Sequence, residues 1–337
     1  QSLETSAVRI DIATSGNGLP YFSDCPYLRR LFELRSISYG SSDAKTGISS
    51  LALFAAIPRT VATYFANVRT VLKILSSQPY DLVVIDSDYT ALVFRLFSRV
   101  PVVAVNNSEF VIEECRRMRP PLRTWPQFLV EFFDFVFHRI VPTLTLAPTP
   151  TPFGAKANGR VVSIPLLSRF SVSPKRTTEP SRPFRVLLMF SASSLGLDPS
   201  DFIELCPRDV VTTRVSAENR MSPDGSFRDV TAEIEAADLI VSNAGLGTIT
   251  DAIASRTPIL VVPIAGHCEQ WTNARMVERL GIGESATVGT FTAKMQMIRD
   301  DYETYREALD HLAPRQDFAP RLAVSVILRR LALTQPM

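Results

Sequence analysis

The chain has 337 residues, 46% of them apolar and 21% charged, with a formal net charge of +2. That composition excludes a disordered chain, and the near-neutral balance leaves no footprint for nucleic acid. The length suits two α/β domains, and no apolar run reaches the length of a membrane span.

Residues 8–13 alternate as a strand does and run into Thr14-Ser15-Gly16-Asn17-Gly18, which is either a plain turn or a loop that approaches a ligand. A second strand is expected over residues 32–37. Residues 49–76, rich in Ala, Leu and Val, predict a helix with a break near Pro58. Residues 81–88 form an apolar run ending in Asp86 and Asp88. A helix over 89–98, a strand over 101–105 and the polar Asn106-Asn107-Ser108-Glu109 follow. This is a βαβ unit whose polar ends share the carboxyl edge of a sheet. Asp86-Ser87-Asp88 also fits a short Asp-x-Asp metal pattern, but acceptor contact, or a helix N-cap at Asp88, is the expectation, with no metal site. The cysteines at 25, 115, 206 and 268 lack C-x-x-C spacing, which argues against zinc and fits a reducing, cytoplasmic compartment.

In residues 116–141, Arg116, Arg117, Arg119 and Arg123 precede a helix rich in phenylalanine. Basic residues beside an apolar helix suit peripheral contact with the inner face of a membrane; the plainer reading is a core helix or a lip of the cleft, with His138 either solvated or satisfied in the core. Val161–Pro165 reads as the last strand of a first domain, residues 1–165. Residues 166–183, rich in Ser, Thr, Pro, Arg and Lys, read as a linker. A strand over 184–190 opens a second domain, 184–316. Its small-residue loop 191–196, including Ser193, lies at the carboxyl edge. Val210–Val215 predicts a strand, 227–237 a helix, and 301–312 a helix with His311 exposed. Residues 317–337 form a final helix.

The densest signal lies in residues 238–274. A short apolar run ends at Ser242, and Asn243-Ala244-Gly245-Leu246-Gly247-Thr248 supplies two glycines and a hydroxyl where a helix should begin. The helix is stopped by Arg256-Thr257-Pro258, and a buried strand follows over 258–263. Bare N–H groups at a helix N-terminus suit a phosphate, although glycine there is equally plain turn chemistry. The next loop, Gly266-His267-Cys268-Glu269-Gln270-Trp271-Thr272-Asn273-Ala274, sits on the same edge. Glu269, Gln270 and Asn273 can together bind several hydroxyls, as a sugar requires. One loop for phosphate and one for hydroxyls suggest a nucleotide-sugar.

At these residues, from 237 to 283, the chain resembles the donor site of GT-B glycosyltransferases. It is most similar to the bacterial transferase that adds N-acetylglucosamine to the lipid-linked peptidoglycan precursor, and to the less specialised relatives of that enzyme. The resemblance implies an α/β protein of two Rossmann-like domains facing a cleft, with a final helix crossing back to the first domain. It implies inverting, metal-independent transfer of a hexosyl or N-acetylhexosaminyl group from a UDP-linked donor to an acceptor that is lipid-linked or small. No cofactor is called for, because the sugar nucleotide is a substrate. Gly245 and Thr248 would lie at the diphosphate, with Asn243, Leu246, Gly247 and His267 around them. Asp251 falls where the family has a glutamate on the ribose, one methylene longer. Gln270 falls on the sugar contact, with Glu269 and Asn273 beside it. A nucleotide-sugar epimerase of the same fold and a non-catalytic nucleotide-sugar binder are the rival readings.

Inverting transfer needs a general base. The resembled enzymes carry it in a glycine-rich loop after their first strand, whereas residues 1–6 here look like the tail of the first helix and 8–13 like the second strand. The first βα unit, and the base with it, is therefore expected upstream of Gln1, in roughly 20–40 further residues, enough for one strand–loop–helix unit. Within the chain Asp86, Asp88 and Glu109 are the candidates.

Overall fold

The computed structural model describes residues 9–16, 18–23, 25, 27–36, 50–150, 159–168, 182–190, 199–215 and 229–332. Ser193 and its loop lie outside them, as do most of the expected linker and residues 333–337. Gln1 and residues 2–8 lie outside them as well, and so does the helix tail expected over residues 1–6. All strands pair in parallel, as apolar runs separated by helices dictate. Among the described residues three sheets result, numbered by strands in chain order as β1-β2, β3-β4-β5-β6 and β11-β10-β9-β7-β8, with the bounds of each strand given below.

The first half begins with β1 (Ile10–Thr14) and β2 (Leu28–Glu33), so the second strand lies earlier than 32–37. The helix α2 (Ser50–Ser77) continues through Pro58 without a break. Proline removes one main-chain donor there. Downstream, Val71 is buried, and Val68, Leu72 and Leu75 pack against the same core. The βαβ unit is present as β3 (Val83–Asp86), α3 (Ala91–Phe97) and β4 (Val102–Val105). After α4 (Ser108–Met118) and α5 (Trp125–Ile140) comes β5 (Leu144–Thr149), then β6 (Val161–Pro165). Among the described residues no ladder joins β1 to β3. Both instead border a cavity of about 480 Å³ that Asp11, Thr14, Val84 and Asp86 help to line. Asp11 is held at the near end by Arg29, Arg30, Gln78 and Tyr80, the last at 2.7 Å. Val84 on the β3 edge is consequently 57% exposed.

The second half contains β7 (Phe184–Met189), β8 (Val210–Val215), β9 (Leu239–Ser242), β10 (Ile259–Val261) and β11 (Gly283–Ser285). Its sheet is buried on both faces: Leu187, Met189, Ile240 and Val261 enter one core, while Val186, Leu188, Val241 and Leu260 enter the other. Each such side chain contributes roughly 1.5–3 kcal/mol by leaving water. β8 and β9 lie on opposite sides of β7, so the strand order reverses beside β9, the place where open α/β sheets bind ligands.

The two halves touch. Phe110, Val111 and Cys115 of α4 join the same core as Cys268, Met276 and Val277 of α9 (Cys268–Leu280). Glu114, buried at the junction, pairs with Arg279. The last helix, α12 (Ala319–Ala332), packs Ala323, Val326 and Ile327 against the core of the first half beside Leu144 and Ile164. His311 is exposed.

Candidate functional site

The helix α8 (Leu246–Ser255) starts directly beyond β9, with Gly245 as N-cap and no side-chain cap bond among the described residues. The left-handed residue of the turn is Ala244, at φ +61°, not a glycine. Gly245 is extended, at φ −68° and ψ 133°. A side chain built on Gly245 or Gly247 would meet nothing within 4 Å. These glycines are therefore not required by backbone conformation or by neighbouring protein. What they provide is open space above an uncapped helix end, which suits an anion. Thr248 is half-buried at this end, and Asn243 is buried in the turn. Asp251 lies one turn further along α8, only 4% exposed and already engaged with a neighbour.

The segment expected as a polar loop is instead the first turns of α9. Cys268, Thr272, Met276 and Val277 bury one face of it, and that apolar period outweighs the polarity between them. His267 caps it by accepting from the Gln270 amide at 3.4 Å. Burial holds the His267 imidazole at about 4, hence neutral at ordinary pH. Gln270 is buried, and its Oε1 accepts from the Ile264 amide at 2.9 Å. Asn273 is fully buried, and its Nδ2 donates to the Ala244 carbonyl at 3.0 Å. Asn273 thus ties α9 to the glycine turn and is not the free hydroxyl ligand its sequence position suggests. Glu269 Oε1 accepts from Asn107 Nδ2 at 2.8 Å, a bond between the two halves. Burial pushes the Glu269 carboxyl above its ordinary range, against the pull of Asn107. Gln127 of α5 also reaches across, accepting from the Cys268 amide at 2.7 Å. Beside this turn a cavity of about 510 Å³ runs along the carboxyl edge of β10 and β11, lined by Gly266, Trp271, Thr287 and Arg123 among others.

The general base expected upstream of Gln1 falls outside the described residues, which leaves the three carboxylates of the facing half to be placed. Asp88 accepts from the Thr90 amide at 2.6 Å, a local turn bond; the N-cap of α3 is Thr90, not Asp88 as expected. Glu109 is paired with Arg139 at 2.8 Å. Asp86 makes no hydrogen bond or ion pair among the described residues, and crowding at the cleft wall raises its carboxyl although His138 pulls the other way. Ser87 between the two aspartates is left-handed, at φ +49°. Among the described residues no three His, Cys, Asp or Glu side chains gather as metal ligands.

Three residues of α5 were not singled out for this site by sequence: Glu131, Asp134 and His138. Their spacing puts them on one helical face, a usable signal that the surrounding phenylalanines obscure. Asp134 accepts from Asn106 Nδ2 at 2.7 Å and meets His138 Nδ1 at 3.2 Å. His138 is buried, not solvated; its Nδ1 is bonded, but its Nε2 has no hydrogen-bond partner among the described residues. Burial, with the charges of Glu269 and Asp134 nearby, holds the Glu131 carboxyl well above its ordinary range. The opposite face of α5 is apolar and open: Leu122 just before it is 84% exposed and Phe133 61%. Phe135 is buried and Phe137 packs on the core, so α5 is both a core helix and an exposed one. Among the described residues no helix is long and apolar enough to cross a membrane.

Residues 4–297 match the profile of glycosyl transferase family 1. The chain belongs to that family. A protein of Methanosarcina mazei described as an uncharacterized glycosyltransferase is 25% identical over 253 residues, 65% of this chain and 64% of its own length. One of Methanosarcina acetivorans, described in the same words, is 25% identical over 269 residues, 72% of this chain and 70% of its own. The chain therefore aligns with under two thirds of the first relative. Among solved structures, the calicheamicin glycosyltransferase CalG4 superposes with a TM-score of 0.60 at 14% identity, covering 97% of this chain and 100% of that one. The Streptomyces sp. SF2575 glycosyltransferase SsfS6, complexed with thymidine diphosphate, gives 0.58 at 15%, covering 94% and 99%. The spinosyn rhamnosyltransferase SpnG, complexed with spinosyn aglycone, gives 0.58 at 12%, covering 94% and 99%. These likenesses establish the GT-B fold.

Proposed function

We propose that this protein transfers a sugar from a pyrimidine nucleoside diphospho-sugar, UDP-linked by the resemblance, to an acceptor held by the first half. The observation that carries this reading is the uncapped N-terminus of α8, with open space over Gly245 and Gly247 and the left-handed strain carried by Ala244. The diphosphate sits on the amides of residues 246–248, and the roughly half positive charge of the helix end stabilises it as it leaves. No metal or other cofactor is needed for that step. Asp251 faces the ribose and the Gln270 amide faces the sugar. Thymidine diphosphate in one structural neighbour supports a pyrimidine base.

Transfer inverts the anomeric carbon in a single displacement, and Asp86 takes the acceptor proton. Of the three carboxylates singled out by sequence, Asp88 is committed to Thr90 and Glu109 to Arg139, which leaves Asp86. The acceptor is an apolar or lipid-linked molecule, approaching along the exposed face of α5. Arg116, Arg119 and Arg123 beside that face favour peripheral contact with an anionic membrane surface. Trp125 fluorescence should shift to the blue with phosphatidylglycerol vesicles and not with neutral ones; no shift with either contradicts the membrane contact.

Nucleotide release tests the reaction class. A transferase releases nucleoside diphosphate from the sugar nucleotide only when an acceptor alcohol is added. Release without acceptor indicates the epimerase, and binding without release under any acceptor indicates a pure binder.

A further inference from the structure

Two of the four cysteines meet where the halves join. Cys115 Sγ of α4 lies 3.4 Å from Cys268 Sγ, the first residue of α9, and the two are 153 positions apart in sequence. Both are buried and reduced. Cys268 stands between His267 and Glu269, in the turn that carries Gln270 and receives Gln127 and Asn107 from the other half. Thr272 Oγ1 is also 3.4 Å from Cys115 Sγ.

We propose that Cys115 and Cys268 form an oxidation site, at which a peroxide converts the thiol pair to a disulfide that staples the donor turn to the acceptor half. The geometry assigns the order of events. Cys115 Sγ lies 3.4 Å from both the Cys268 thiol and the Thr272 hydroxyl, polar neighbours that favour its thiolate. The Cys115 thiolate attacks one peroxide oxygen, the O–O bond breaks, and hydroxide leaves with the electron pair. The sulfenic acid so formed is attacked by Cys268 sulfur, whose proton goes to the departing oxygen, giving water and the disulfide. Two thiols are oxidised and one peroxide is reduced to two waters. The oxidant reaches the pair only when the halves part, because neither sulfur is exposed. Once formed, the bond holds α4 against α9 and prevents the separation that exchange of donor for product requires. Cys206 has no such neighbour among the described residues, and burial raises its thiol to about 11, which makes it unreactive.

The test treats the full chain with hydrogen peroxide, then reads intact mass, the linked peptides and transfer. The expected result is loss of the mass of two hydrogens and a single crosslinked peptide pair containing residues 115 and 268. Transfer should fall at least tenfold and return with dithiothreitol. Cys115→Ala should form no link and resist peroxide; Cys115→Ser serves if the alanine variant folds poorly. Oxygen added to one cysteine without a link, an unchanged mass, or a linked enzyme at full rate would each overturn the proposal. The rate arm rests on the transferase reading, whereas the mass arm does not. Absence of transfer before treatment therefore counts against that reading and leaves the oxidation site to be decided by mass.

Discussion

The side-chain amide of Asn273 donates to the carbonyl of Ala244 at 3.0 Å, so α9 holds the turn from which α8 starts. Ala244 is left-handed, a conformation that costs a non-glycine residue roughly 1–2 kcal/mol. The bond offsets part of that cost and fixes where the first amides of α8 point. Asn273→Ala should leave the carbonyl unsatisfied at a cost of about 1–2 kcal/mol in stability, and should weaken nucleoside diphosphate binding by loosening the turn. Ala244→Gly in the same chain should restore much of the lost Tm. Unchanged affinity in the single variant, measured by calorimetry, would refute the link.

Gly247 separates stability from binding. It lies in the first turn of α8 with nothing within 4 Å of a methyl group placed there. Gly247→Ala should therefore raise stability by about 0.4–1 kcal/mol, chiefly through the unfolded chain, while weakening nucleoside diphosphate several-fold. A parallel fall in Tm would mean that the glycine serves packing instead of a ligand.

Much of this was readable in the sequence because the second half obeys local rules. The β9–α8–β10 unit follows directly from apolar runs, two glycines and Pro258. Three features were less legible. The central strand β5 is hidden by Pro142 and Pro148, which argue for a loop. Pro148 is tolerated because β4 pairs with β5 only as far as Leu146, beyond which that side of β5 is open. The start of α9 looked like a loop because its polar residues masked the spacing of Cys268, Thr272 and Met276. The acidic face of α5 was overlooked because its phenylalanines dominate composition. The Asn107–Glu269 bond near it joins residues 162 positions apart, which no local pattern brings together.

Asp251 and Gln270 should act on different parts of the donor. Gln270→Glu retains the oxygen that accepts from the Ile264 amide but loses the Nε2 donors. It should bind the bare nucleotide like the parent and the sugar nucleotide more weakly, by roughly 0.5–3 kcal/mol. Asp251→Ala should weaken both. If the bare nucleotide binds Asp251→Ala normally, the ribose assignment is wrong.

His267 should leave a signature in acid. Its folded value of about 4 lies below the ordinary 6.5 because of burial. Between those two values the unfolded chain binds the extra proton, so stability falls as pH is lowered through that window and is fully present above it. His267→Asn keeps a capping acceptor without the titration, and its Tm should fall less between pH 6.5 and 4. Identical slopes for the two proteins would remove His267 from the account.

The central claim is that the α8 N-terminus holds a nucleoside diphosphate without a metal. Titration calorimetry of the full chain with UDP, thymidine diphosphate and purine nucleoside diphosphates, each with and without EDTA, measures it most directly. The account predicts saturable one-site binding of at least one pyrimidine nucleoside diphosphate, nearly unchanged by EDTA and weakened in Gly247→Ala. Binding abolished by EDTA and restored by manganese or magnesium, or no binding of any nucleoside diphosphate to the folded chain, would contradict it.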